Sequence, residues 1–144
     1  RLTLLEATGK KCRFMQHVVD TLGLTDVTVV QARAEDFGQH AGRLAFDLAL
    51  ARAVTRLPTL LEYGLPLLKR GGWFVIQKGR EPQEELVQSR LALQTLGGSL
   101  HDVLPVAVPG LDAERSLILV AKAAQTPAAY PRRAGIPERQ PILP

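Results

Sequence analysis

Four clusters in this sequence have residue types and placements that could do chemistry, and each follows a run of apolar residues. Glu6 closes LTLLE, Ala34-Glu35-Asp36 follows VTVVQAR, Arg52 ends FDLALAR, and Gln77-Lys78-Gly79 ends WFVIQKG. A carboxylate at the end of a buried strand offers only acceptors, which suits a point where both hydroxyls of a ribose arrive as donors. The plainer use of Glu6 is a solvated helix cap or a partner for Lys10. Ala34 and Glu35 could close over a heterocycle with a backbone N–H and a small side chain, but acids at a helix start are also favoured by the dipole alone. Arg52 lies among Ala49, Leu50, Ala51, Ala53 and Val54, so its charge needs an anion. That anion is either a ligand or, more simply, Glu35 or Asp36. Gly79 after Lys78 lets a ligand or another backbone come close.

The totals narrow the chemistry. The chain has 144 residues, enough for one domain with a core, and its 46% hydrophobic and 22% charged residues are ordinary for a globular protein. No apolar run reaches the ~18–20 residues that cross a bilayer, and no signal-peptide pattern is present. A single cysteine, Cys12, excludes an internal disulfide and leaves a reducing cytoplasm as the expected location. His17, His40 and His101 are scattered without ligand spacing, so no metal is expected. No serine–histidine or cysteine–histidine arrangement supports covalent hydrolysis. A formal charge of +4 favours an anionic partner.

The elements that must position these clusters read as an alternating series. Short apolar runs at 2–5, 27–30, 46–51 and 73–77 predict strands. Helical spacing over 10–24 carries Phe14, Val18 and Leu22, with Met15 and Val19 beside them, and stops at Gly23. A helical turn is expected around AEDF, a helix over 57–68 with Pro58 in its first turn, and another over 81–96. Two further strands, near 101–108 and 116–121, are joined by PGLDAER without a helix between them. The pattern therefore predicts an α/β fold with a mostly parallel sheet and an antiparallel hairpin at one edge. Residues 1–122 form the domain. Residues 123–144, rich in proline and carrying Arg132, Arg133 and Arg139, are expected to be an extended tail that buries little. In such sheets ligands bind beyond the carboxyl ends of the strands, where all four clusters fall.

Taken together, the segments resemble a known family. LPLLKRGGWFVIQKG at 65–79 is similar to the helix, turn and strand of class I S-adenosylmethionine-dependent methyltransferases. TLLEATGKKCRFMQHVVDTLGL, VQARAEDFG, DLALARAV, VPGLDAERSLILVAK and YPRRAGIPERQPI narrow the resemblance to the GidB (RsmG) family of bacterial 16S ribosomal RNA guanine-N7 methyltransferases. The resemblance implies S-adenosylmethionine as cofactor, with Glu6 on the ribose, Ala34 and Glu35 on the adenosine and Arg52 in the cofactor site. It implies that Lys78 and Gly79 lie near the target base or its phosphates, and that the basic tail, through Arg132 and Arg133, meets RNA of the small ribosomal subunit or its assembly intermediate. It also implies a sheet order 3-2-1-4-5-7-6 whose first strand and Gly-rich loop would precede Arg1. The chain is therefore expected to be an incomplete piece, with a sheet that lacks its first strand and with poor cofactor binding on its own. Two other functions fit the same pattern: another Rossmann-type nucleotide enzyme such as a nicotinamide dehydrogenase, and a non-catalytic RNA-binding or assembly domain.

Overall fold

The computed structural model describes residues 1–79, 82–110 and 114–144. Its elements follow the predicted alternation. They are β1 (Leu2–Glu6), α1 (Gly9–Thr21), β2 (Val27–Gln31), α2 (Ala34–Gln39), β3 (Phe46–Arg52), α3 (Leu57–Gly64) with a short 3-10 turn (Leu65–Leu67), β4 (Leu68–Lys78), α4 (Gln83–Gln88), α5 (Arg90–Leu96), β5 (Gly98–Val106), β6 (Arg115–Lys122) and α6 (Ile136–Arg139). The helix expected over 81–96 is two helices that meet at Ser89, whose hydroxyl bonds back to the Glu85 carbonyl at 2.6 Å. A serine bonding to the carbonyl four residues earlier competes with the helical ladder and bends it. Glu81, and Leu111, Asp112 and Ala113 of the joining segment, lie outside the described residues.

The sheet comes in two parts. β1 and β2 pair in parallel, and the other strands run in the order β3-β4-β6-β5. β3 and β4 are parallel, while β6 runs antiparallel to both β4 and β5. The antiparallel edge is thus the expected hairpin, with β6 on the inside and β5 outermost. No ladder joins β1 to β3 among the described residues.

One face of the four-stranded part carries the core. Phe74 and Ile76 of β4 and Ile118 and Val120 of β6 pack on Leu57, Leu60 and Leu61 of α3 and on Leu93 and Leu96 of α5. Because strand side chains alternate, their neighbours Leu48, Leu50 and Trp73 fall on the opposite face, which is exposed. The Gly-Gly pair is an irregularity within β4, not a turn ahead of it: Phe46 pairs with Leu68 but Leu48 pairs with Trp73. Gly71 is left-handed, φ +84°, and a Cβ on Gly72 would lie 2.8 Å from the Asp47 carbonyl oxygen. α1 is turned relative to its expected stripe. Cys12 and Val19 are buried, while Phe14 and Leu22 are about two-thirds exposed, at 67% and 65%.

Residues 123–144 correct the expectation of an extended tail that buries little. Thr126, Pro131 and Pro137 are buried, Tyr130 and Ile142 pack against the core, and the segment contains the short helix α6. Composition suggested an extended tail because prolines and arginines make no core of their own. Here they lie on a surface already built by α2 and α3, whose polar groups they satisfy.

Candidate functional site

The four clusters do lie at the carboxyl ends of β1 to β4. Glu6 ends β1 with a carboxylate that accepts the Thr8 N–H at 2.8 Å and pairs with Lys11 at 3.4 Å. The Thr8 hydrogen bond, aided by Lys11, holds its pKa below the usual carboxylate range. The group is therefore anionic at neutral pH and three-quarters covered, and it retains lone pairs for incoming donors. The partner is Lys11, not Lys10.

Ala34 and Glu35 open α2, whose N-terminus has no side-chain cap, so the N–H groups of its first turn have no partner within the helix. The Glu35 side chain points inward. It is 2% exposed and accepts the Gly135 N–H at 2.8 Å, across 100 residues of sequence. What this pair presents outward is therefore backbone and the Ala34 methyl.

Arg52 ends β3, exposed, with neither Glu35 nor Asp36 as a partner and no ion pair among the described residues. Ala53 next to it is left-handed, φ +52°, an uncommon state for a residue with a Cβ and one often found at functional turns. Arg52, Lys78 and Gly79 line one open cleft of about 450 Å³, together with Thr55, Gln77 and Arg115. A Cβ on Gly79 would meet nothing within 4 Å among the described residues.

Lys78 is less available than its position suggests. Its amine donates to the Thr55 carbonyl at 2.9 Å and to Glu85 at 2.8 Å. Burial works to raise the pKa of Glu85, but the bonds from Lys78 and from the Leu57 N–H outweigh it and hold the carboxyl low. Arg132 is committed further still. Its guanidinium grips Glu62 through Nε at 2.9 Å and Nη2 at 2.7 Å, and Glu62 is fully buried. Arg132, expected to meet RNA, holds an internal ion pair with Glu62, because a buried carboxylate holds its counter-ion strongly. Arg133 next to it is exposed, with no side-chain partner among the described residues.

Two participants were not singled out in the sequence. Arg115 lay in the quoted motif VPGLDAER, and the pairing of β6 with β4 brings it to the cleft through the Lys78–Ser116 register. Glu62 gave no signal, since an acid in a helix normally faces solvent. Among the described residues no group of three or more histidine, cysteine, aspartate or glutamate side chains could hold a metal, and no helix is long and apolar enough to cross a membrane.

The two-part sheet with its antiparallel edge, and polar residues at its carboxyl ends, define a Rossmann-like fold of the S-adenosylmethionine-dependent methyltransferase type. Solved structures with this fold include a SAM-dependent methyltransferase from Methanosarcina mazei, with TM-score 0.62 at 12% identity over 85% of this chain and 82% of that one. Another is precorrin-6y C5,15-methyltransferase from Geobacter metallireducens, with TM-score 0.62 at 18% identity over 85% of this chain and 67% of that one. At such identities the likeness concerns the fold alone. Residues 1–117 match the model of the GidB family, described as rRNA small subunit methyltransferase G, and the chain belongs to that family. Proteins named ribosomal RNA small subunit methyltransferase G are 50% identical in Roseiflexus castenholzii and 46% identical in Lactobacillus acidophilus, each over 99% of this chain. The chain spans about three-fifths of the length of these relatives, 61% and 60%.

Proposed function

We propose that this protein takes part in S-adenosylmethionine-dependent methylation of guanine N7 in 16S ribosomal RNA, with the small subunit or its assembly intermediate as substrate. The observation that carries the reading is Arg52: in a chain of the GidB family it stands exposed and unpaired at a strand end, in a cleft it shares with Lys78 and Arg115. A buried salt bridge, its simplest other use, is absent among the described residues.

The residues at the strand ends suit the cofactor's parts. Glu6 is an anionic acceptor for ribose hydroxyls, and the first turn of α2 offers N–H donors and the small Ala34 to a heterocycle. The Glu35 side chain turns inward instead, to the Gly135 N–H. S-adenosylmethionine, when bound, supplies an electrophilic methyl group. Guanine N7 carries a free lone pair, so no proton has to leave before transfer and no general base is needed. The task left to the protein is placement. The cleft offers cations, Arg52, Lys78 and Arg115, and the Gln77 amide for that placement. Arg115 would hold the negative backbone beside the target base, and Arg133 would add a contact at the rim, with binding that weakens as salt rises.

The test is transfer of a radiolabelled methyl group to 16S RNA by the complete enzyme, with the product nucleoside identified. N7-methylguanosine is expected, with S-adenosylhomocysteine competing and NAD not. Competition by NAD would favour a nicotinamide enzyme, and RNA binding without transfer would favour a non-catalytic domain. Arg52→Ala is expected to cut methylation by disturbing the cofactor pocket. Wild-type turnover with wild-type cofactor affinity in that variant would refute its role.

A further inference from the structure

We propose that Lys78 and Glu85 are positioning residues that clamp the loop 53–57, and with it Arg52, at the ligand end of the sheet, and that Lys78 does this instead of touching RNA. The proposal rests on the functional reading above, since the clamp matters for catalysis only if Arg52 serves the cofactor.

The β3–β4 ladder ends at Arg52, which pairs with Gln77. Beyond it Ala53 is left-handed, φ +52°, a state that a residue with a Cβ keeps only where its surroundings fix it. The fixing contacts come from the end of β4 and from α4. The Lys78 amine donates to the Thr55 carbonyl at 2.9 Å and to Glu85 Oε2 at 2.8 Å. The same Oε2 accepts the N–H of Leu57, the first residue of α3, at 2.6 Å. Farther along α4, Gln88 accepts a hydrogen bond from Arg56 Nη2 at 2.8 Å. Residues 55, 56 and 57 are thus each held, by backbone or side chain.

Lys78 has little left to offer a phosphate. Two of its three ammonium protons go to these bonds, and to swing outward it would release the Thr55 carbonyl and leave Glu85 with the Leu57 N–H. The two side chains are 16% and 33% exposed, so the pair is covered well beyond an ordinary surface bridge and is screened less. β3 and β4 are directly paired in parallel, so the clamp joins the ends of two neighbouring strands. Arg52 is the last ladder residue before the loop, and the clamp fixes the chain three and five residues beyond it. Misplacement by about 1 Å is enough to cost ~100-fold in a reaction that depends on alignment, so loosening this loop has a catalytic consequence.

The test uses the complete enzyme, at a temperature where every variant is folded, and measures S-adenosylhomocysteine affinity by calorimetry and KM for 16S RNA. Lys78→Met and Glu85→Ala should each weaken S-adenosylhomocysteine about tenfold and leave KM for RNA within about twofold. Glu85→Gln should stay within about threefold of wild type, because one amide oxygen can still accept from Leu57 and Lys78. Added to Arg52→Ala, Lys78→Met should cost less than about twofold more, because both changes act through the same residue. RNA affinity across salt concentrations should keep its wild-type slope in Lys78→Met. A slope shallower by about one would place the amine on a phosphate and overturn the proposal. Wild-type affinity in Glu85→Ala would also overturn it, as would losses that multiply between Lys78→Met and Arg52→Ala. Wild type that fails to bind S-adenosylhomocysteine, or Arg52→Ala that binds it normally, would instead refute the functional reading. The clamp is then judged by amide exchange over residues 53–57, which Lys78→Met should speed about tenfold; unchanged exchange would overturn it. If Lys78→Met does not fold, its combination with Glu85→Gln replaces it, since that pair strands no charge. The combination should still lose about tenfold in S-adenosylhomocysteine affinity, and wild-type affinity there would count against the clamp.

Discussion

Replacing Arg132 with Met should be among the most damaging single changes outside the apolar core. The side chain makes three contacts shorter than 3.3 Å to Glu62, Nε to both carboxylate oxygens at 2.9 and 3.2 Å and Nη2 to one at 2.7 Å. The hydrogen bonds to Glu62 raise the Arg132 pKa further above its ordinary value. Methionine keeps much of the volume but leaves Glu62, which is 0% exposed, with only the Arg132 backbone N–H at 2.8 Å. An ionised carboxylate stranded in a buried site costs ~3–5 kcal/mol. For a chain of this size that lowers the melting temperature by about 10–17 °C. Urea unfolding at neutral pH measures the loss directly. Adding Glu62→Leu should recover most of it, because removing both charges removes the desolvation penalty as well. A loss below ~1 kcal/mol for Arg132→Met alone would show that water reaches Glu62, and the buried pair would lose its structural role.

Lys122, 1% exposed, has its pKa lowered to about 8, chiefly by burial and then by the charge of Arg43. Since the unfolded chain holds this proton to higher pH, stability should rise between about pH 8 and 10.5, by ~3 kcal/mol in total, and Lys122→Met should flatten the rise. Chemical unfolding across that range checks the sign. A Cβ on Gly64 would lie 2.2 Å from the Phe74 ring, so Gly64→Ala should destabilise the core by ~1–3 kcal/mol, seen as a lower urea midpoint with an unchanged slope. Lys78→Ala should let the Glu85 pKa climb, because burial then acts without its main opponent. A carboxyl titration followed by NMR would show the upward shift. Its stabilising effect in wild type is present above the unfolded carboxylate pKa and fades as pH falls through the folded one.

Much of the fold was legible because its signals are local. The run at 27–30 is all β-branched and that at 46–51 is apolar apart from Asp47, and the structure extends each by a single residue, to Gln31 and Arg52. The hairpin of β5 and β6 followed from two strands with no helix between them. Where the reading slipped, a weak local preference met a tertiary demand. Phe14 and Leu22 had helical spacing, yet β1 and β2 present their surface to Cys12 and Val19 one step around the helix. The break at Ser89 came from one hydroxyl bonding back along the chain. In the candidate site, strand-end position was readable for Glu6, Arg52 and Lys78, because each follows an apolar run. Which of them keeps an open charge was not readable. Lys78 finds Glu85, while Arg52 finds no ion-pair partner among the described residues.

Local order along the chain carries the alternation of strands and helices, the strand ends where polar residues gather, and the family whose motifs those residues share. Periodicity and strand termini are properties of neighbouring residues, so they can be read along the chain. Long-range contacts settle that the proline- and arginine-rich segment folds back over α2 and α3, that Arg132 answers Glu62 across 70 residues, and that Glu35 turns inward to Gly135 across 100. Those pairings depend on which surfaces the helices leave uncovered and on how strongly a buried carboxylate demands a partner. Neither quantity exists until the chain has closed on itself.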